Sequence, residues 1–275
     1  MDNLVDDVEA LMRHVAQLEI MSRFQKLERH DIQSKQRPGD LVTTADLEAE
    51  NRLTEGLMKL LPSSTVIGEE EAFRNPQILE RLNGEQLVWT VDPLDGTNNF
   101  AKGKPCFAMI CALIKNGQTQ MGWILDPISG VCATAKLGEG VYVAGQRVTI
   151  KQPDGVPSMT GSLGDGLRKR INARKDNGEA EMPHQLVRYH CCGREYVDLL
   201  IGKINFALYG GRLMPWDHAA GTLMVNEAGG YGRIVEDQST YDPAKHGNGE
   251  QLMLAPNKAS FERLQQMLFT TIDMP

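Results

Sequence analysis

Leu4, Val8, Leu11, Val15 and Leu18 recur at spacings of three and four, which predicts an amphipathic helix over residues 4–24. Arg37-Pro38-Gly39-Asp40 then breaks the chain. A second helix is predicted from about Thr44 to Leu60, stopped by Pro62. Val66-Ile67 reads as a short strand. Leu87-Val88-Trp89-Thr90-Val91 is a nearly continuous apolar run of β-formers and reads as a buried strand. Phe107–Ile114, Gln120–Leu125 and Gly130–Ala135 follow at short intervals as strands of an antiparallel sheet, with Lys115-Asn116-Gly117 as a turn. Residues 151–162, rich in Pro, Gly and Ser, mark a boundary between two halves, 1–150 and 151–275. The second half alternates: helix Gly193–Ile201, strand Ile204–Tyr209, helix Ala219–Ala228 ended by Gly229-Gly230.

Composition narrows the class. A chain of 275 residues with 41% apolar and 24% charged residues is an ordinary globular protein. Its net charge of −7 and lack of a long basic run argue against a dedicated nucleic-acid or membrane-surface binder. The one basic cluster, Arg168-Lys169-Arg170 with Arg174-Lys175, reads as a solvated helix face. No apolar stretch reaches a membrane span, and the acidic start is unlike a signal peptide. Cys106, Cys111, Cys132, Cys191 and Cys192 are an odd count without a CxxC pair, which suits free thiols in a reducing cytoplasm. Adjacent Cys191 and Cys192 read first as buried small hydrophobes, with metal or redox chemistry as the alternative.

Carboxylates gather in four segments: Leu41-Val42-Thr43-Thr44-Ala45-Asp46, Gly68-Glu69-Glu70, Asp92-Pro93-Leu94-Asp95-Gly96-Thr97 and Trp216-Asp217-His218-Ala219-Ala220-Gly221. Asp92 closes a buried strand, Pro93 halts the ladder, and Asp95 lies one tight turn on. Two close carboxylates repel unless a proton or cation lies between them. Hard oxygen ligands suit Mg²⁺ or Mn²⁺. Gly96 permits a tight turn, and a helix starting at Thr97 would offer free N–H groups to an anion. Each segment alone has a plainer reading: an Asx turn at Asp92, a helix cap at Asp217, a solvated pair at Glu69-Glu70. Their conjunction points to metal and phosphate. His218 and the other histidines show no ligand spacing.

With Asp40-Leu41-Val42-Thr43-Thr44-Ala45-Asp46, Ile67-Gly68-Glu69-Glu70, Asp92 through Phe100, Trp216 through Gly221 and Asn226-Glu227-Ala228-Gly229-Gly230 in this order, the chain resembles the inositol monophosphatase family, near its bacterial SuhB-like members. The resemblance implies an α/β fold of layers α-β-α-β-α, the first sheet antiparallel and the second mixed. It implies that Glu69, Asp92 and the Leu94 carbonyl hold one Mg²⁺. Asp92, Asp95 and Asp217 hold a second, and a third, weaker ion leans on Glu69. Glu70 stands behind these ligands. Asp46 and Thr97 orient the attacking water, and Gly96 and Thr97 give N–H groups to the phosphate. Lys35 falls in the loop that the family folds over its site. Sensitivity to Li⁺ and a homodimer are implied as well.

Two departures bear on substrate. The family's polyol-binding Glu, seven residues before the Trp-Asp aspartate, is Gly210 here, with Arg212 close by. Cys191-Cys192-Gly193 replaces the usual small-residue run. The expected activity is hydrolysis of inositol monophosphate or a related small phosphate. Fructose bisphosphate, histidinol phosphate and nucleotide 3′-phosphates are the alternatives, and an RNA polymerase-associated binding role is the alternative outside catalysis.

Overall fold

The computed structural model describes residues 3–35, 41–245 and 248–269; the predicted break at Arg37–Asp40 lies outside them. In chain order the first half contains α1 (Leu4–Val15), β1 (Ile32–Ser34), β2 (Leu41–Thr43), α2 (Thr44–Leu60), β3 (Ser64–Gly68), α3 (Glu69–Arg74) and β4 (Leu87–Asp95). There follow α4 (Thr97–Ala101), β5 (Ala108–Lys115), β6 (Gln118–Leu125), β7 (Cys132–Lys136), β8 (Gly140–Val143) and β9 (Gln146–Val148). The second half contains β10 (Thr160–Ser162), α5 (Asp165–Asp176), β11 (Gln185–Val187), α6 (Cys192–Leu200), β12 (Phe206–Arg212), α7 (Pro215–Glu227), β13 (Tyr231–Ile234), β14 (Asn248–Ala255) and α8 (Lys258–Phe269).

Successive strand residues point to opposite faces, and here each face buries into a different core. Along β5, Ala108, Ile110, Ala112 and Ile114 enter the central core. Met109, Cys111 and Leu113 instead meet α1 and α2, through Val8, Met12, Leu53 and Leu57. Along β14, Leu252 and Leu254 face the central core with Tyr196, Ala220 and Leu223 of α6 and α7. Met253 and Ala255 meet Ile171 of α5 and Phe261 and Leu264 of α8. The layers are therefore α1/α2, a seven-stranded sheet β3 to β9, α6/α7, a five-stranded sheet ordered β11-β10-β12-β14-β13, and α5/α8. This is the expected α-β-α-β-α order.

The second sheet is mixed, as expected: β10 runs parallel to β11 and β12, and β14 antiparallel to β12 and β13. The first is antiparallel except at its edge, where β3 runs parallel to β4. The cause is the connection. Residues 69–86 cross over as α3 and a 3₁₀ segment, long enough to return the chain in the same direction.

α2 spans the predicted residues, with Thr43 as cap. The first helix is shorter than its periodicity suggested, giving way to a π-helical turn over Ala16–Met21. α7 starts earlier than predicted because Pro215, with φ preset for a helix, occupies its first turn. That shift places Asp217 inside the helix and not at its cap. No described helix is long and apolar enough to cross a membrane.

Candidate active site

The site is built where the end of β4 meets the starts of α2, α3, α6 and α7. Asp92 Oδ1 accepts the Leu94 N–H at 2.9 Å, so Pro93 sits in an Asx turn. The ladder does not end there. Asp92 faces Ile110 and Asp95 faces Ala108, so β4 carries one extra residue and resumes after the bulge. Gly96 follows with φ 92°, and a Cβ there would lie 2.9 Å from the Cys106 carbonyl oxygen. Only glycine meets both demands. α4 then begins at Thr97, the helix start on which the anion-binding reading depended.

Thr97 Oγ1 lies 3.0 Å from Asp46 Oδ1 and 3.0 Å from the Leu94 carbonyl oxygen. One hydroxyl proton serves only one of these acceptors at a time. Asp46 is held in turn by the α2 cap: Oδ2 accepts the Thr43 N–H at 2.8 Å and the Thr43 hydroxyl at 2.6 Å. Burial pushes the Asp46 carboxyl up to about 6, against these hydrogen bonds.

Glu69 and Glu70 open α3. Lys35 reaches them across the fold, its Nζ 2.7 Å from Glu69 Oε1 and 2.7 Å from Glu70 Oε1, with a side chain only 4% exposed. Burial alone would lower the ammonium, but the two facing carboxylates raise it. Burial, and then the charge of Glu69, push Glu70 up to about 8. Asp217 stands in the first turn of α7, its carboxyl beside that of Asp92. Asp92 and Asp217 are both pushed far up, first by burial and then by Glu69, Asp95 and, for Asp92, Asp217. Asp95 is raised by burial, while Gly193 N–H, at 2.6 Å, and Cys191 Sγ, at 3.2 Å, donate to its Oδ2.

Sequence reasoning missed several participants. Cys191 and Cys192 are not merely packing residues. Cys191 donates to Asp95, and Cys192 Sγ lies 3.4 Å from the Asp217 carbonyl oxygen. Nothing in the local sequence signals a contact to Asp95 across 96 positions. Gly193 lets α6 come this close, since a Cβ would meet Ala108 Cβ at 2.8 Å. His218 is buried beside Tyr196, with Nδ1 3.1 Å from the hydroxyl, and burial lowers it to about 3. It is a neutral core residue, in line with its lack of ligand spacing.

Two adjoining cavities open here. One, about 480 Å³, is lined by Glu69, Asp92, Leu94, Gly96, Thr97 and Lys102 among others. The second, about 580 Å³, is lined by Arg188, Tyr209, Gly210, Arg212 and Gln251. They share Asp95, Asn98, His190 and Asp217. Gly210 and Arg212 thus stand at the second cavity, which Asp95 and Asp217 also line, and Arg212 lines a third with Lys35, Glu69 and Asp217.

The donor set fits a hard divalent cation. It is all oxygen and mutually repulsive, with Asp92 buried and Glu69, Asp95 and Asp217 half-buried, and the Lys35 ammonium already stands as a cation against Glu69 and Glu70. Among the described residues no trio of His, Cys, Asp or Glu side chains stands at metal-binding separation.

The model of the Inositol monophosphatase family matches residues 3–264. Nus factor SuhB of Pseudomonas aeruginosa is 33% identical over 218 residues, which is 75% of this chain and 78% of that protein. Fructose-1,6-bisphosphatase/inositol-1-monophosphatase of Thermotoga maritima is 28% identical over 201 residues, 70% of each. Among solved structures, Thermotoga maritima IMPase superposes with a TM-score of 0.79 at 23% identity, covering 98% of this chain and 97% of that one. Extragenic suppressor protein SuhB of Bartonella henselae superposes with a TM-score of 0.78 at 24% identity, covering 98% and 99%. These structures share the fold described above.

Proposed function

The chain belongs to the inositol monophosphatase family, and from that premise we propose that it is a Mg²⁺-dependent phosphomonoesterase acting on inositol monophosphate or a related small phosphate. The observation that carries the reading is the convergence of Glu69, Asp92, Asp95 and Asp217 beside the Asp46–Thr97 pair.

Glu69, Asp92 and the Leu94 carbonyl would hold one ion. Asp92, Asp95 and Asp217 would hold a second, and a third would lean on Glu69; Mn²⁺ suits the same oxygens. Such ions supply Lewis acidity and lower the pKa of water. Thr97, fixed between Asp46 and Leu94, orients the attacking water. Asp46, pushed up to about 6, is matched to taking a proton through the Thr97 hydroxyl. Gly96 and Thr97 N–H groups, ahead of the first helical hydrogen bonds of α4, donate to the phosphoryl oxygens. Glu70 neutralises Lys35 when Glu69 turns to an ion. Li⁺, small and monovalent, would compete at the Asp92, Asp95 and Asp217 position.

The test is phosphate release from a panel: inositol 1-phosphate, fructose 1,6-bisphosphate, histidinol phosphate and a nucleotide 3′-phosphate, each with Mg²⁺ and with chelator. Release from at least one, abolished by chelator, supports the reading; silence across the panel removes it.

A second reading is favoured by the identity to Nus factor SuhB. Here the protein would associate with RNA polymerase, as a homodimer in the cytoplasm. Exposed Lys169 on α5 would face an anionic partner, while the Lys175 ammonium is held by the Pro183 and His184 carbonyls. Copurification with RNA polymerase that survives Asp92→Asn would support it.

A further inference from the structure

Cation placement within the second cavity is not explained by the chemistry above. Its near end is shared with the first cavity through Asp95 and Asp217. Arg188, Gly210, Arg212 and Gln251 line it too, with Leu167 and Leu208 as apolar wall, and Arg212 also lines a third cavity with Lys35, Glu69 and Asp217. Arg188 follows β11 and precedes α6, so the central layer holds it in place.

Arg188 Nε is buried from solvent and has no hydrogen-bond partner among the described residues. Arg168 and Arg194 also leave Nε unpaired, but each spends a terminal nitrogen on a carboxylate, Asp165 and Asp126 respectively. Arg188 makes no such pair among the described residues. Glu195 also lines the cavity, and the Arg188 charge acts on its carboxyl without a hydrogen bond between them among the described residues. Its carboxylate already accepts the Ser162 hydroxyl at 2.6 Å and the Tyr189 N–H at 3.3 Å. A half-buried guanidinium with donors unspent, lining a cavity, is a site for an anion.

We propose that Arg188 is a specificity-determining residue, which with Arg212 receives a second anionic group, a phosphate or carboxylate, on the alcohol part of the substrate. This rests on the phosphomonoesterase reading for the orientation of that substrate. The scissile phosphate occupies the first cavity, and the rest of the molecule extends past Asp95 and Asp217 into the second. Gly210 brings no side chain there, which leaves room for the group. The expected substrate class is small phosphomonoesters with a second anion, preferred over polyol monophosphates whose far end is neutral.

The test measures binding and turnover separately on the same preparations. Binding of glucose 1-phosphate, glucose 6-phosphate and glucose 1,6-bisphosphate is followed by calorimetry, with Ca²⁺ in place of Mg²⁺ to suppress turnover. Wild type should bind the bisphosphate at least about tenfold more tightly than either monophosphate, as a charge-assisted bidentate contact predicts. Arg188→Gln should remove most of that preference. Arg188→Lys, which keeps the charge and loses the fork, should retain part of it. Equal wild-type affinities overturn the proposal, whether or not the variants fold. A preference unchanged in folded Arg188→Gln overturns it too. Phosphate release from the monophosphates with Mg²⁺ tests the underlying reading alone: its failure would leave the binding comparison intact, and the reverse holds.

Discussion

Replacing Lys35 by Met separates a structural cation from a metal-responsive one. Lys35 Nζ stands 2.7 Å from an oxygen of each of Glu69 and Glu70. At an effective dielectric of about 20, each such contact is worth about 6 kcal/mol before desolvation. Desolvation of the ammonium cancels most of this for the Glu69 contact, Glu70 adds its share only where it ionises, above about pH 8, and removing one partner from such a group typically costs about 3–5 kcal/mol. At about 2 °C per kcal/mol for a chain of this size, Lys35→Met should lower the melting temperature by about 6–10 °C in chelator. If cations and Lys35 compete for the same carboxylates, saturating Mg²⁺ should close most of that gap, because the ion takes over the compensation. The gap in chelator should also widen as pH rises through about 8, where Glu70 ionises and is left uncompensated. Scanning fluorimetry of wild type and variant, with Mg²⁺ and with chelator, at pH 6.5 and 9, reads all of this. A gap of the same size under every condition would show that Lys35 is an ordinary structural ion pair, and the argument would be wrong.

Other consequences follow from the same geometry. Asp92→Asn should lower turnover about a thousandfold, the loss of about 4 kcal/mol of transition-state stabilisation from the ligand common to two ions; near-normal kcat would remove Asp92 from the chemistry. Thr97→Ala should lose about a hundredfold in kcat while costing about 1 kcal/mol or less in stability. A melting loss with kcat preserved would make it merely structural. Glu50, whose carboxylate accepts the Glu70 and Glu71 N–H groups at 2.7 and 2.9 Å, is pushed up to about 7 by burial. Its folded value lies above its unfolded one, so its contribution is full below about 4.5 and is lost as pH rises through about 7. The metal-free protein should therefore melt higher at pH 5 than at pH 8, with Glu50→Gln flattening the slope; an unchanged slope in the variant would remove Glu50 as its source.

Locally encoded features were legible from sequence. α2 was readable end to end because Thr43 and Asp46 form a capping box and Pro62 closes the far end. The Asp92–Thr97 turn was readable because Pro93 and Gly96 impose it on the backbone. What stayed hidden depends on distant pairings. The parallel edge of the first sheet turns on how residues 69–86 cross over, which a strand's own pattern does not record. Lys35 meets Glu69 across 34 positions and Cys191 meets Asp95 across 96. Arg188, just before α6, carries no local signal of a role. Its significance is that the central layer and the second sheet bring it to the cavity that Asp95 and Asp217 also line, and no short-range rule encodes that.

A single measurement bears most directly on the central claim: the rate of phosphate release by wild type as Mg²⁺ is titrated into chelator-treated protein, beside the same titration of Asp92→Asn. The account predicts no release without the ion, a saturable rise with it, and a variant whose rate stays about a thousandfold lower at every Mg²⁺ concentration. Release that is full in chelator, or a variant that follows the wild-type curve, would contradict it.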